Sequence, residues 1–446
     1  MNGTHADPEA LQDGQGHATM PLLRVEMHEH SGRSYHVTRA IPAGTTVLEA
    51  ETPYAYTIWK PFRNEVCAEC WRYDGGRRSF LTRRDDEGTS GDLDEEPREG
   101  ARAGNRKTHR GYWLRREGRE TVRLLCVLEG ARRQKEVEKD KDGGFRLEDL
   151  GTDLTRENVD RAWDMVAQKE RLPKEVRRWR NLQLDHFETD MARYVLIALV
   201  RRYREVYDQE GRQSQQQLHT DKDAANNTYV RRIASAAVHF GGASWDDFTA
   251  LQVNELQHLN TYPEVLENQI RVYQALKGRF PTSHVRASTS EGRTVVTDTG
   301  GNGESHNCQA SQIGQGDSGG FRDFGSLITV DNVRRAFSVD PGNSFGIWET
   351  PLMDESELMG FAVYPKPSFF NHNCLPNVAK VRRGRALEFV TTRAIEAGEE
   401  LCISYGHVEG MALEERQREL REGWFFECRC GRCVAEAETH NRRQTS

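Results

Sequence analysis

The chain has 446 residues, enough to bury a substantial core as about two or three packed units, and a formal net charge of −7. That acidic balance excludes whole-protein electrostatic attraction to nucleic acid, so no direct nucleic-acid partner is expected. No apolar run reaches membrane-spanning length, the longest obvious one being 195–200, and no membrane partner is expected either.

Residues 1–20 are polar, lack a signal-peptide core, and read as disordered. Residues 22–60 read as strands, with Tyr35–Thr38 and Thr45–Leu48 on either side of a Pro42-Ala43-Gly44 turn. An insertion over 61–323 follows. It opens on the pair Cys67 and Cys70, then runs through 74–108, crowded with Arg, Asp, Glu and Gly and expected to be a solvated loop. Met191, Val195, Ala198, Leu199, Tyr203 and Val206 recur at helical spacing, which predicts an amphipathic helix over 188–207. The stretches 209–228 and 284–320 are rich in Gln, Asn, Ser and Gly and are expected to be mobile. Between them a helix is predicted over 262–277, with Thr261 and Glu264 at capping-box spacing, Pro263 near its start and Gly278 just past its end. Its buried side would carry Leu266, Ile270, Tyr273 and Leu276.

A core segment over 324–408 contains a second copy of the early turn. Thr38-Arg39-Ala40-Ile41-Pro42-Ala43-Gly44 is matched by Thr392-Arg393-Ala394-Ile395-Glu396-Ala397-Gly398, followed by a strand over 400–404. A helix (411–422) leads into a cysteine-bearing tail ending near 436, and 437–446 is expected to be disordered. Nine cysteines, an odd number and bunched rather than spread, suit a reducing compartment with metal-bound thiolates, so a cytosolic or nuclear location is expected.

The chemistry-bearing residues lie in that last third: Asn371-His372-Asn373-Cys374-Leu375-Pro376-Asn377, then Tyr405-Gly406, then Cys428-x-Cys430-x-x-Cys433. Asparagine and histidine can grip a polar cofactor, a tyrosine can orient an amine, and thiolates suit zinc. Taken singly, His372 and Phe426 would more often be core residues; together and in this order they resemble the catalytic end of SET-domain protein-lysine methyltransferases. The family's usual Asn-His-Ser-Cys-x-Pro-Asn run has Asn373 in place of the serine.

The resemblance implies an α+β fold of small β sheets with a knot-like C-terminal thread, a long largely helical insertion and a zinc-binding post-SET tail. It implies S-adenosylmethionine as cofactor, contacted by Gly32, Arg33, Asn343, Asn371, His372, Tyr405 and Phe426, with Tyr405 catalytic. Ser34 stands where the family's Gly-x-Gly loop usually has its second glycine. The tail supplies three thiols where tetrahedral zinc takes four ligands, and the family's arrangement makes Cys374 the fourth beside Cys428, Cys430 and Cys433. Cys67-Ala68-Glu69-Cys70 after the first strands resembles the SMYD branch, whose insertion starts with a MYND zinc finger. The pair could hold a second zinc only with Cys126 or His109, so the finger is at most reduced and its peptide-docking role is not carried over.

The function implied is transfer of a methyl group to a lysine side chain of a histone or non-histone protein. A non-catalytic SET scaffold is the rival reading, favoured by the reduced finger and the polar insertions. A DNA-binding zinc module fails on spacing, because the tail cysteines lack a nearby fourth ligand and no recognition helix precedes them. Nothing in the sequence sets the oligomeric state.

Overall fold

The structure is a computed structural model that describes residues 21–28, 31–67, 70–77, 118–130, 154–218, 243–282, 323–353, 355–406 and 408–444. The expectations for 1–20, 78–108, 219–228 and 284–320 fall outside the described residues. The strands, in chain order, are β1 (Leu23–His28), β2 (Gly32–Val37), β3 (Thr46–Ala50), β4 (Ala55–Ile58), β5 (Ser344–Trp348), β6 (Leu358–Val363), β7 (Asn371–His372), β8 (Val378–Arg383), β9 (Ala386–Thr391) and β10 (Glu400–Ile403). The helices are α1 (Gly118–Glu129), α2 (Arg156–Glu170), α3 (Pro173–Trp179), α4 (His186–Leu218), α5 (Trp245–Thr249), α6 (Glu255–Thr261), α7 (Glu264–Arg279), α8 (Val330–Val339), α9 (Leu413–Trp424) and α10 (Gly431–Gln444). None of these helices is long and apolar enough to cross a membrane. Mixed α and β structure with small sheets is what the sequence predicts.

The chain divides into two compact units, one of residues 1–53 with 364–446, the other of 54–363. In the first, one sheet has the order β1-β2-β10-β7, with β7 parallel to β10, and a second has the order β3-β9-β8. The repeated heptads meet each other here. Ile41 and Ile395 exchange both backbone hydrogen bonds at 2.9 Å. On one side Gly44 N–H donates to Thr391 O, and on the other Gly398 N–H donates to Val37 O, each at 2.8 Å. Gly44 and Gly398 have φ of +78° and +83°, a conformation in which a side chain would be strained. The two turns therefore face each other about a local two-fold, which explains why the sequence uses the same seven-residue design twice.

The second unit holds the sheet β4-β6-β5 and helices α1 to α8. Strands β5 and β6, from the 324–408 segment, form this sheet with β4, from the 22–60 segment, in the same compact unit as the inserted helices. Helix α4 buries its stretch from Met191 to Val200 apart from Arg193. It also continues to Leu218 through 209–218, expected to be mobile, where Gln, Glu and Arg are good helix formers. Leu266, Ile270, Tyr273 and Leu276 are fully buried, as predicted.

Two terminus readings are corrected. Thr261 belongs to α6, and α7 is capped by Pro263 without a side-chain hydrogen bond. Gly278 lies inside α7 rather than ending it, because it is the point of closest approach: a Cβ there would meet Arg180 N at 2.4 Å. We expect Gly278→Ala to destabilise this unit. The alanine gains about 1 kcal/mol of helix propensity, while forcing backbone apart costs roughly 1–3 kcal/mol or more. A thermal melt checks the sign, and a raised midpoint would contradict the close packing. Likewise 437–444, expected to be disordered, continues α10, where alanine and glutamate favour helix and the i,i+4 pair Arg432–Glu436 supports its start.

Candidate active site and cysteine cluster

Tyr405 follows β10 directly, and its two polar ends are both fixed. Its N–H donates to His372 Nδ1 at 3.1 Å, and its hydroxyl donates to Phe370 O at 2.8 Å. A backbone donor at Nδ1 makes that nitrogen the acceptor, so the ring proton of neutral His372 sits on Nε2. Nε2 lies 3.2 Å from Cys374 Sγ. Burial pushes His372 down to about 4, against the carboxylate of Glu409 and with help from Arg416, so the ring is neutral at physiological pH. Burial also pushes the Tyr405 hydroxyl up, reinforced by Cys402 and Glu400, so it keeps its proton. His372 therefore couples Tyr405 to Cys374 using both ring nitrogens.

The strand carrying the Asn-His pair is only two residues long, and side chains extend its pairing. Asn377 Oδ1 accepts Cys402 N–H and its Nδ2 donates to Glu400 O, both at 2.8 Å. Asn371 Nδ2 donates to Glu400 Oε1 at 2.9 Å, and among the described residues no donor is seen on Asn371 Oδ1. Asn373 Oδ1 accepts Leu375 N–H at 2.9 Å, a turn cap that a serine hydroxyl makes in a similar way.

Four sulfurs converge beside this run. Those of Cys374, Cys428, Cys430 and Cys433 lie within 4.8 Å of one another. Cys374 Sγ is 3.8 Å from Cys428 Sγ and 3.6 Å from Cys433 Sγ. Zinc–sulfur bonds of about 2.3 Å at tetrahedral angles put sulfurs about 3.8 Å apart, whereas a disulfide needs about 2.05 Å. The spacing fits a shared ion. Burial drives the Cys374 and Cys428 thiols up. Burial acts the same way on Cys430, but backbone donors at Cys433 and Cys374 outweigh it and bring that thiol down to about 7.

Helices α9 and α10 build the rest of the wall. Phe425, with φ of +64°, ends α9 and turns Phe426 inward. The Phe426 ring lies 5.9 Å from His372 and 6.0 Å from Tyr405, and Trp424 lies 6.0 Å from Tyr405. Gln417 clamps the tail, accepting Cys428 N–H at 2.9 Å and donating to Cys428 O at 2.7 Å. Arg416 is fully buried, with Nη2 3.6 Å from Cys433 Sγ and 2.6 Å from Glu436 Oε2. Four thiolates around a divalent ion would leave a net charge of about −2, which this guanidinium, shared with Glu436, would offset in part. We expect Arg416→Met to weaken zinc retention about tenfold in competition with a chelator, and unchanged retention would remove Arg416 from the cluster's electrostatics.

Of the remaining candidates, Gly32 opens β2 with φ of +71°, and the Arg33 guanidinium lies 4.3 Å from the Phe369 ring centroid. Ser34 is buried with Oγ 3.0 Å from His36 Nε2. Asn343 lies in the 54–363 unit, where its Nδ2 donates to Gln252 O and Val339 O at 2.8 Å. Cys67 is buried, and among the described residues the clusters of three or more potential metal ligands do not include Cys67 or Cys70. His109 lies outside the described residues. One compact unit thus gathers Asn371, His372, Tyr405, Phe426 and the four cysteines. Sequence reasoning missed Arg416, Gln417 and Trp424, which carry no local motif. It had Asn377 inside the motif without seeing its role.

A SET domain family model matches residues 32–406, most of the chain. The chain belongs to the SET-domain family. Its relatives include the potential protein lysine methyltransferase SET6 of Saccharomyces cerevisiae, 28% identical over 193 residues, which are 43% of this chain and 41% of that protein. The histone-lysine N-methyltransferase SMYD3 of Mus musculus is 42% identical over 113 residues, 25% of each chain. A SET and MYND domain-containing protein of Dictyostelium discoideum is 36% identical over 97 residues, 22% of this chain and 24% of that one. The likeness is to SMYD-type SET proteins, and the matched stretches span less than half the length of these relatives. In this SET domain the family match runs through Tyr405 and ends at Gly406, while the cysteine tail lies beyond it.

Proposed function

We propose that this SET-domain chain is an S-adenosylmethionine-dependent protein-lysine N-methyltransferase with a structural zinc in a post-SET tail, working on a histone or non-histone protein in the cytosol or nucleus. The observation that carries the reading is Tyr405, a protonated phenol fixed at both ends beside the Asn-His strand. The names of the relatives support the same reaction class.

The cofactor supplies an electrophilic methyl group on a sulfonium. Asn371 Oδ1 is suited to accept from the cofactor's ammonium, and Phe426 offers an aromatic face. Gly32 and Arg33, at the start of β2, are the further contacts we assign. His372 acts through what it orients, because both ring nitrogens are engaged within the chain. The parallel pairing of β7 with β10, tied by Asn377, supports the knot-like thread.

A lysine must give up one proton to solvent before transfer and arrive as the neutral amine, nitrogen lone pair toward the methyl. As the N–C bond formed the S–C bond would break, the cofactor leaving as a neutral thioether and the product as a methylammonium. Tyr405 cannot be the base, since burial holds its proton on. With that proton committed to Phe370 O, the phenolic oxygen presents its lone pairs to the amine hydrogens and aims the nitrogen. Positioning of this kind can contribute up to about 7–11 kcal/mol in favourable intramolecular models. The zinc would be held by Cys374, Cys428, Cys430 and Cys433, whose closed thiolate set leaves no position for water and makes it structural.

Calorimetric titration of zinc-loaded protein with S-adenosylmethionine tests the cofactor assignment. We expect saturable binding that weakens sharply in Asn371→Ala and His372→Ala, each shown by melting to be folded. Absence of binding in folded, zinc-loaded wild type would favour the non-catalytic scaffold.

A further inference from the structure

The β1–β2 hairpin carries a second convergence of ligand atoms. Its register pairs Glu26 with Ser34, His28 with Gly32 and Arg24 with His36, so Glu26, His28 and His36 all project from one face. His28 Nε2 lies 3.1 Å from His36 Nε2. Glu26 Oε2 is 3.9 Å from the first and 3.7 Å from the second. These atoms lie within 4.8 Å of one another, as the four sulfurs do. Metal bonds of about 2.0–2.1 Å to nitrogen and oxygen at tetrahedral angles put ligand atoms about 3.3 Å apart. The observed edges bracket that value, and two of the three side chains are exposed enough to adjust.

The outer contacts also suit a metal site. His36 Nδ1 is 3.0 Å from Gly398 O, and only an N–H can bond a carbonyl, so the Nδ1 proton is fixed there and Nε2 carries the lone pair. That lone pair faces the cluster and also Ser34 Oγ at 3.0 Å, a hydroxyl that an ion on Nε2 would displace as donor. Glu26 divides its oxygens: Oε1 is held by Arg24 at 2.6 Å, while Oε2 faces the histidines. Ligating histidines and carboxylates are commonly oriented by such contacts. His36 is nearly buried and His28 half-exposed, giving an anchored ligand and an accessible entry.

We propose that Glu26, His28 and His36 form a binding site for zinc or a neighbouring first-row divalent ion, separate from the cysteine cluster. Two imidazoles and one carboxylate suit such ions and leave a coordination position for solvent. The ion ties β1 to β2 where Gly32 begins the second strand. Without an ion, His36 Nε2 can accept from either His28 Nε2–H or Ser34 Oγ–H.

The test uses cobalt(II) added to the full chain after its thiolate sites have been filled with zinc. Cobalt on thiolates gives strong sulfur-to-metal charge-transfer absorption, and cobalt on two imidazoles and a carboxylate gives only weak ligand-field bands. We expect saturable binding with the second spectrum, and a loss of affinity of at least about tenfold in both His28→Ala and Glu26→Gln. The zinc content of the thiolate sites should not change in either variant. Glu26→Gln keeps the side chain's shape, so a loss in both variants is not explained by misfolding. No thiolate-free cobalt binding, or binding unaffected by both substitutions, would overturn the site. Neither outcome depends on methyl transfer.

Discussion

If the proposed reading holds, Tyr405→Phe should lower methyl transfer by about 100-fold or more, with S-adenosylmethionine affinity nearly unchanged. The substitution deletes one oxygen and leaves the ring against Phe426 and Trp424 and the backbone N–H on His372. What disappears is the donor that held Phe370 O and, with it, the acceptor we propose aims the amine. A single oriented dipole in a water-excluded site is worth about 3–4 kcal/mol in the transition state, enough for that fall in rate. Ground-state binding of the cofactor does not use the phenolic oxygen, so its affinity is spared. Initial rates and calorimetry on the same preparation measure both quantities. Unchanged turnover would remove Tyr405 from the mechanism, and a parallel loss of cofactor affinity would show its hydroxyl to be part of the binding site instead.

Zinc removal is the second large effect. Stripping the ion with a chelator under reducing conditions, or substituting Cys433→Ser, should lower the melting temperature strongly and abolish methyl transfer together. Structural zinc in small domains contributes roughly 10–16 kcal/mol of apparent binding free energy at neutral pH, much of it folding free energy. The four cysteines join the Asn-His run to α10, so on the proposed reading the wall carrying Phe426 and Trp424 would depend on the ion they hold. The path from zinc to catalysis is short: Cys374 Sγ touches His372 Nε2, and His372 Nδ1 holds the Tyr405 N–H. Returning zinc should restore both readouts. An unchanged melt after verified zinc loss, or protein purified under reducing conditions without zinc, would contradict the assignment.

Much of this site was legible in the sequence because its residues sit in short motifs. Asn371, His372 and Cys374 share one run, and Cys428, Cys430 and Cys433 share another. A triplet of thiols announces a missing fourth ligand. The paired turns were equally visible as repeated heptads, although their mutual pairing about Ile41 and Ile395 needed three dimensions. Arg416 was hidden because its partners, Cys433 and Glu436, lie on the next helix and leave no local spacing signal. Gly278 misled for a physical reason: glycine serves both to end helices and to let backbones touch, and only the neighbouring chain at Arg180 distinguishes the two uses. The hairpin cluster went unnoticed because Glu26, His28 and His36 become neighbours only once the strand register is known. The pairing of β5 and β6 with β4, one of the strands expected over 22–60, is nonlocal and carries no spacing signal in the sequence.

The most direct test of the central claim is to incubate zinc-loaded protein with methyl-labelled S-adenosylmethionine and a reduced cell extract, then hydrolyse the extract proteins to amino acids. The account predicts label in N-methylated lysine with the wild type and almost none with Tyr405→Phe. Label in a different residue, or none from folded, zinc-loaded protein that binds the cofactor, would contradict it.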